Sequence, residues 1–334
     1  MKKTVVVIAV IALMALVGFG AWYFKGAPKT YSGALQPITL GGLVSDTAVL
    51  LFAAEERHFF EENGINFTFK TYDTGVATVD DLLNNKMDVA GPAEYPVVRK
   101  AFERANIRII ASIDKSYVIY FVGLTDKGIR NTADIKGKKI GLVRGSIAEF
   151  YLGRFLDLLG MSIRDVTLIN LSPAQAADAI ARGSVDAVVT WEPYVDRIRK
   201  QYPNRVVSWS VQSGQAVYAV LICRNDWIKE HPDLAGRFLT ALAQAEAYIG
   251  QYPAEAKAIL RKRYHEDDEY LARIWPEHQF SLSLDQSLVL ALEDEARWMI
   301  GNNLTMEKQV PDFMNYIYEN GLKAIKPESV NVIR

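Results

Sequence analysis

Gly145-Ser146 is the point in the chain best suited to holding a small polar molecule. It follows an apolar run ending at Val143 and opens a helical pattern that reaches Leu159. The first amides of a helix have no partner inside it, and the helix dipole places roughly half a positive charge there. A glycine lets an anionic oxygen approach that backbone, and the serine hydroxyl adds a donor. Arg144 adds a full charge, so a sulfonate, carboxylate or nitrate is the matching chemistry. The alternative role of Ser146 is plain N-capping of the helix. Asp46-Thr47 is the corresponding point near the start of the chain, with Asp46 either an N-cap or a ligand group. Glu94 and Glu192 are placed at strand ends, where two carboxylates favour a ligand bearing an amine or several N–H or O–H donors. Glu192 has a structural alternative, pairing with Arg144. Tyr95 and Trp191 offer flat faces for stacking or for packing. Tyr117 and Gln215, with Tyr120 and Tyr218, fall near the expected crossings between lobes.

Catalytic patterns are weak. His58, His231, His265 and His278 are scattered without metal-ligand spacing. There is no G-x-S-x-G elbow and no Walker loop. The single cysteine, Cys223, lies in the apolar run Val217–Cys223 and reads as a buried thiol. Glu266-Asp267-Asp268-Glu269 reads as a solvated charge run. The expectation is therefore a binding protein with no catalytic residue, no metal and no cofactor.

The elements that position these residues repeat. Asp178–Tyr194 reads as a helix end, a Gly183 cap, a buried strand from Val185 to Thr190, and a polar tip, Trp191-Glu192-Pro193-Tyr194. Asp81–Pro96 has the same grammar: Asn85 stands in the place of Gly183, Asp88 of Asp186, and Glu94 of Glu192. Gly42-Leu43-Val44 and Gly141-Leu142-Val143 form a second matched pair. Two related α/β lobes follow, about one hundred residues apart. In such open sheets ligands bind at the carboxyl ends of the strands. The strand–helix alternation predicts a mostly parallel sheet in each lobe. The chain after Asn225 reads as helical throughout.

The first residues read as a targeting segment. Lys2 and Lys3 precede 21 uncharged residues, Thr4 to Phe24, and Lys25 closes them. That length suffices for a hydrocarbon core of about 30 Å. An uncleaved anchor and a cleaved signal peptide both fit, and either exports the body; no cysteine follows that would carry lipid. A net charge of −1 and the lack of a basic run argue against nucleic acid as a partner. The expected division is 1–35 as signal or anchor plus linker, 36–123 with 213–334 as lobe one, and 124–212 as lobe two.

Several stretches together resemble one family. They are His58-Phe59-Phe60-Glu61-Glu62-Asn63-Gly64-Ile65, the run Asp134-Ile135-Lys136-Gly137-Lys138-Lys139-Ile140-Gly141, the Gly145-Ser146 turn, and Gly183–Ala187 leading to Trp191-Glu192-Pro193-Tyr194. The chain, from about Ile38 to Leu260, resembles the substrate-binding proteins of ABC importers for nitrate, aliphatic sulfonates and taurine, a group that includes thiamine-pyrimidine-precursor proteins. The resemblance implies a two-lobed periplasmic-binding-type α/β fold, with a ligand clamped between lobes joined by two crossover strands. It also implies delivery to a membrane permease driven by a separate ATPase. A heterocycle-forming enzyme and an extracytoplasmic sensor on the same fold are the alternatives. Yeast-type pyrimidine-forming members use a cysteine cluster and a histidine, from which a chain with one cysteine, in a strand, departs.

Overall fold

A computed structural model describes residues 31–333. The N-terminal apolar stretch lies outside these residues, and among the described helices none is long and apolar enough to cross a membrane. The chain divides between Ala34 and Leu35, and both sheets belong to the part from Leu35 onward.

The first sheet is built from β1 (Gln36–Gly42), β2 (Ile65–Thr71), β3 (Val89–Gly91) and β4 (Ile107–Ser116). The chain then passes to a second sheet through Tyr117-Val118. That sheet contains β5 (Ile119–Leu124), β6 (Lys139–Leu142), β7 (Thr167–Asn170), β8 (Ala187–Trp191) and β9 (Val206–Ser210). The chain returns through residues 211–216 into β10 (Val217–Arg224), and later adds β11 (His278–Ser283). The orders are β11-β4-β10-β3-β1-β2 and β7-β6-β8-β5-β9.

The two lobes therefore share one topology. In each, the strand arriving from the other lobe is inserted antiparallel between the third and fourth strands: β10 between β3 and β4, and β5 between β8 and β9. The sheets are mixed rather than mostly parallel, because an inserted strand lacks the crossover helix needed to bring it back in the parallel sense. Since β5 pairs in the second sheet, the crossing falls at Tyr117-Val118, ahead of the expected boundary at 123.

The repeat extends to single hydrogen bonds. Asp88 Oδ2 accepts from the Thr39 amide of β1 at 2.8 Å, and Asp186 Oδ2 accepts from the Lys139 amide of β6 at 2.7 Å. Each Asp thus ties the start of its lobe's third strand to the first strand. Asn85 and Gly183, three residues earlier, have φ of 59° and 70°, the left-handed region that ends a helix.

Two expectations fail locally. The spacing of Val49, Leu50, Ala53, Ala54 and Phe60 predicts one helix from about Asp46 to Glu62, but the structure has a short turn, Asp46–Ala48, then α1 (Val49–Glu56), broken at His58, whose φ is 60°. The C-terminal region is not wholly helical, since β11 pairs antiparallel with β4 at the sheet edge. Its sequence, HQFSLS, alternates in polarity along the second half, the period of a half-buried strand.

The remaining helices used below are α2 (Gly75–Leu83), α3 (Glu94–Phe102), α4 (Ile147–Leu158), α5 (Ala176–Arg182), α6 (Tyr194–Gln201), α7 (Pro232–Gln251), α8 (Pro253–Tyr264), α9 (Asp268–Ile274) and α10 (Gln286–Gly301). Helix α7 packs on α1 and seals the first lobe, where Phe238 stacks on Phe60 at 5.6 Å and Phe60 on Phe67 at 4.1 Å.

Candidate functional site: a cleft between two sheets

A cleft of about 80 Å³ opens where the strands of both lobes end. One water needs roughly 10–15 Å³ by the same measure, so the space suits a small solute. Gly42, Gly91 and Pro92 reach it from the ends of β1 and β3, and Trp191 and Glu192 from the end of β8. Its walls are mainly apolar, with Leu51, Phe69, Ile113 and Ile147 among them, and its polar groups are few and convergent.

From lobe one come Ser45, Asp46 and Thr47. Ser45 Oγ and Thr47 Oγ1 share a hydrogen bond of 2.7 Å. Asp46 does not cap a helix; Ser45 holds that position without a side-chain cap bond. Instead Asp46 is buried, and its Oδ2 accepts from the Tyr270 hydroxyl of α9 at 2.6 Å, while Oδ1 has no partner. Burial pushes the Asp46 carboxyl up, against the opposing pull of His278 and of the Tyr270 hydrogen bond.

From lobe two come Ser146, Ile147, Trp191 and Glu192. Ser146 caps α4, accepting from the Ala148 amide at 3.3 Å, and its Oγ donates to the Val143 carbonyl. It lines the cleft while doing so. Gly145 does not. Its φ is 75°, and its amide is taken at 2.5 Å by Glu149 Oε2, a buried carboxylate of the chain's own first helical turn. Glu149 also takes Arg144, at 2.8 Å. The anion expected at this turn is thus supplied internally, and Arg144 pairs with Glu149, not Glu192.

Glu192 is buried and lines the cleft, but its charge is committed. Oε1 meets Arg199 at 3.0 Å and Arg273 of α9 at 2.8 Å, and Oε2 accepts from the Asp196 amide. Arg273 also reaches Asp196 at 2.5 Å, and Lys200 bridges Asp196 and Asp267. A clasp of alternating charges therefore joins α6 of lobe two to α9. Trp191 stands edge-on to Tyr194, and its buried Nε1 has no partner.

The structure takes Glu94 and Tyr95 away from the cleft. Glu94 is fully buried; Oε1 accepts from the Tyr218 amide, and the side chain shares its pocket with Glu295 of α10. Tyr95 stacks on Phe150 of α4 at 5.8 Å, with Trp298 of α10 edge-on at 6.2 Å, so it packs between lobes. Tyr117 and Gln215 line a wider recess behind the crossings, of about 560 Å³. There the Tyr117 hydroxyl donates to the Gly214 carbonyl, and the Gln215 carbonyl accepts from Tyr151. Of the residues expected at a site, Asp46, Thr47, Ser146, Trp191 and Glu192 come together at the cleft.

One residue was missed. His278, on β11, lines both the cleft and the recess. Its side chain is 0% exposed, and Nδ1 lies 2.9 Å from Asp114 Oδ2 on β4. The strand register explains the pair: Phe280 faces Asp114, so His278 reaches it on the diagonal. The ring stacks on Phe280 at 4.9 Å, and Nε2 has no partner. Burial opposes a charged imidazole, but the charge and hydrogen bond of Asp114 outweigh it and hold the ring above its ordinary value. Only the alternation of HQFSLS could have signalled this position.

A model of the NMT1/THI5-like family matches residues 47–256. A putative aliphatic sulfonates-binding protein of Bacillus subtilis is 30% identical over 76% of each chain. A putative thiamine biosynthesis protein of Haemophilus influenzae is 23% identical over 66% of this chain and 70% of that one. Among solved structures, the alkanesulfonate-binding protein of Xanthomonas axonopodis pv. citri, bound to MOPS, superposes with a TM-score of 0.75 at 18% identity, covering 86% of this chain and 100% of the other. The desulfurization enzyme DSZB superposes with a TM-score of 0.65 at 16% identity, covering 88% of this chain and 99% of the other. These similarities to solved structures bear on the fold alone.

Proposed function

The chain belongs to the NMT1/THI5-like family, and from that premise we propose that it is the extracytoplasmic solute-binding component of an ABC importer. The observation that carries this reading is the cleft itself, walled by strand ends of both lobes and floored by a few convergent polar groups. A small organic acid is the solute class we assign, in keeping with the sulfonate-binding relatives. The lobes close over it by a hinge at Tyr117-Val118 and at residues 211–216, and the clasp between α6 and α9 holds the closed form. The closed form then docks on a membrane permease served by a separate ATPase. Residues 1–24 export the body and tether it to the outer face of the membrane.

A second reading, an enzyme on the same fold, draws on one observation. His278 and Asp114 form a buried pair of the kind that acts as a general base. Against it, Cys223 is not at the cleft; it lies inside β10, where burial pushes the thiol up to about 12.

A thermal-shift panel on the full chain separates the readings. It holds taurine, alkanesulfonates, nitrate, aromatic carboxylates and pyrimidines. One solute class at a hundred times its Kd adds about 2.7 kcal/mol and raises Tm by roughly 5 °C. A blank panel contradicts solute capture of this class, and conversion of a pyrimidine into product supports the enzyme.

A further inference from the structure

Three buried polar atoms at the cleft have no partner within the protein: His278 Nε2, Asp46 Oδ1 and Trp191 Nε1. The charges around Glu192 are paired with one another. Glu192 meets Arg199 and Arg273, Asp196 meets Arg273 and Lys200, and Lys200 meets Asp267. A buried polar group left unpaired costs about 1–3 kcal/mol, so these three atoms are where a ligand has most to gain.

We propose that His278, held by Asp114, is the anchoring residue of the cleft, donating its Nε2 hydrogen to an oxyanion of a small organic acid, with Trp191 Nε1 as the second donor. This rests on the solute-capture reading and gives it a residue and a ligand polarity. Nδ1–H donates to the Asp114 carboxylate, so Nε2 is the ring nitrogen left for a ligand, and it carries a hydrogen to donate in the imidazolium form, which the charge of Asp114 favours. Stacking on Phe280 fixes the ring plane, and Trp275 packs on Phe280 from beyond at 4.8 Å. The imidazole is therefore preorganised rather than mobile. Apolar side chains, Leu51, Phe69, Ile113 and Ile147 among them, receive the carbon body of the acid.

Charged and titratable groups face His278 from several elements. Asp114 lies on β4, Asp46 lines the same cleft and is hydrogen-bonded by Tyr270, and Glu277 precedes the histidine in the chain. Asp46 works in the same direction when it carries a proton. Burial favours its neutral form, and a carboxylic acid beside the imidazole offers a further hydrogen to the same oxyanion. Across these three atoms a primary amine would meet two donors and one acceptor, or three donors when Asp46 carries its proton, which is the wrong complement.

The test compares 1-butanesulfonate, butylamine and 1-butanol by calorimetric titration on the full chain and on His278→Gln. Glutamine keeps a hydrogen-bond donor and removes the charge, and unchanged Tm shows that the variant folds. Asp114→Asn is the second variant, weakening the anchor while leaving the ring in place. The expected result is sulfonate binding to the wild-type chain, about 10- to 100-fold weaker in His278→Gln, less affected in Asp114→Asn, with the alcohol and amine far weaker throughout. Equal sulfonate affinity in the wild-type chain and His278→Gln overturns the anchor and leaves solute capture standing. Tighter binding of butylamine than of the sulfonate overturns the ligand polarity and again leaves solute capture standing. Silence of the wild-type chain to all three probes counts against both the anchor and the solute-capture reading.

Discussion

Glu94 and Glu295 place two neighbouring carboxyl groups in a fully buried pocket, with no ion pair to either among the described residues. Burial pushes Glu94 up from the usual carboxylate value to about 8 and raises Glu295 in the same direction. The folded chain therefore keeps protons that the unfolded chain releases near pH 4.5. Stability contributed by Glu94 is complete below that value and is lost as pH rises toward 8, at about 1.4 kcal/mol per unit, and Glu295 acts in the same direction. Tm is expected to fall by several degrees between pH 5 and pH 8, and Glu295→Gln is expected to flatten much of that slope. A wild-type Tm that rises across this window contradicts the assignment. The same pair shows where residue-level reading stops. Glu94 and Glu192 occupy matching positions in the repeat, yet one is buried beside α10 and the other is clasped by two arginines. The repeat sets the backbone they stand on, while Glu295 beside one and Arg273 on the other come from a C-terminal region that has no counterpart in the repeat. Gly145 fails for a local reason, since Glu149 one turn later reaches back to its amide.

At the scale of elements, the repeat was legible because its signals are local. A left-handed cap, an Asp that ties two strands and a short apolar run recur at fixed spacing, and the structure uses them identically in both lobes. Helix α9 and strand β11 were not legible as site elements. Their importance lies in long-range register, which brings Tyr270 to Asp46, Arg273 to Glu192 and His278 to Asp114. The meeting of α4 with α10 is similarly specific. A Cβ on Gly153 would stand 2.1 Å from the indole of Trp298, and that indole also meets Phe150 edge-on at 5.5 Å. Gly153→Leu is expected to wedge the helices apart at a cost of about 1–3 kcal/mol. Adding Trp298→Ala to the same chain should recover part of that loss, because the two side chains compete for one space. Additive losses in the double variant would place the strain elsewhere.

For the whole molecule, two features favour lobes that meet and part as units. Their only covalent links among the described strands are the short crossings at Tyr117-Val118 and residues 211–216. Their contacts include an aromatic cluster, Tyr95, Phe150 and Trp298, and a charge clasp, Glu192, Asp196 and Arg273, near the cleft. A solute bridging both walls adds contacts only when the lobes are together, so it shifts the population toward the closed form. The two-lobed architecture was legible from the repeat alone, but the inserted strands that make both sheets mixed were not, since pairing across a hundred residues leaves no periodic mark. The most direct measurement is a calorimetric titration of the full chain with a short alkanesulfonate at two temperatures. Solute capture predicts saturable binding of one molecule per chain, with a heat of binding that becomes more negative on warming as apolar walls are covered. A flat titration, or uptake without saturation, would contradict it.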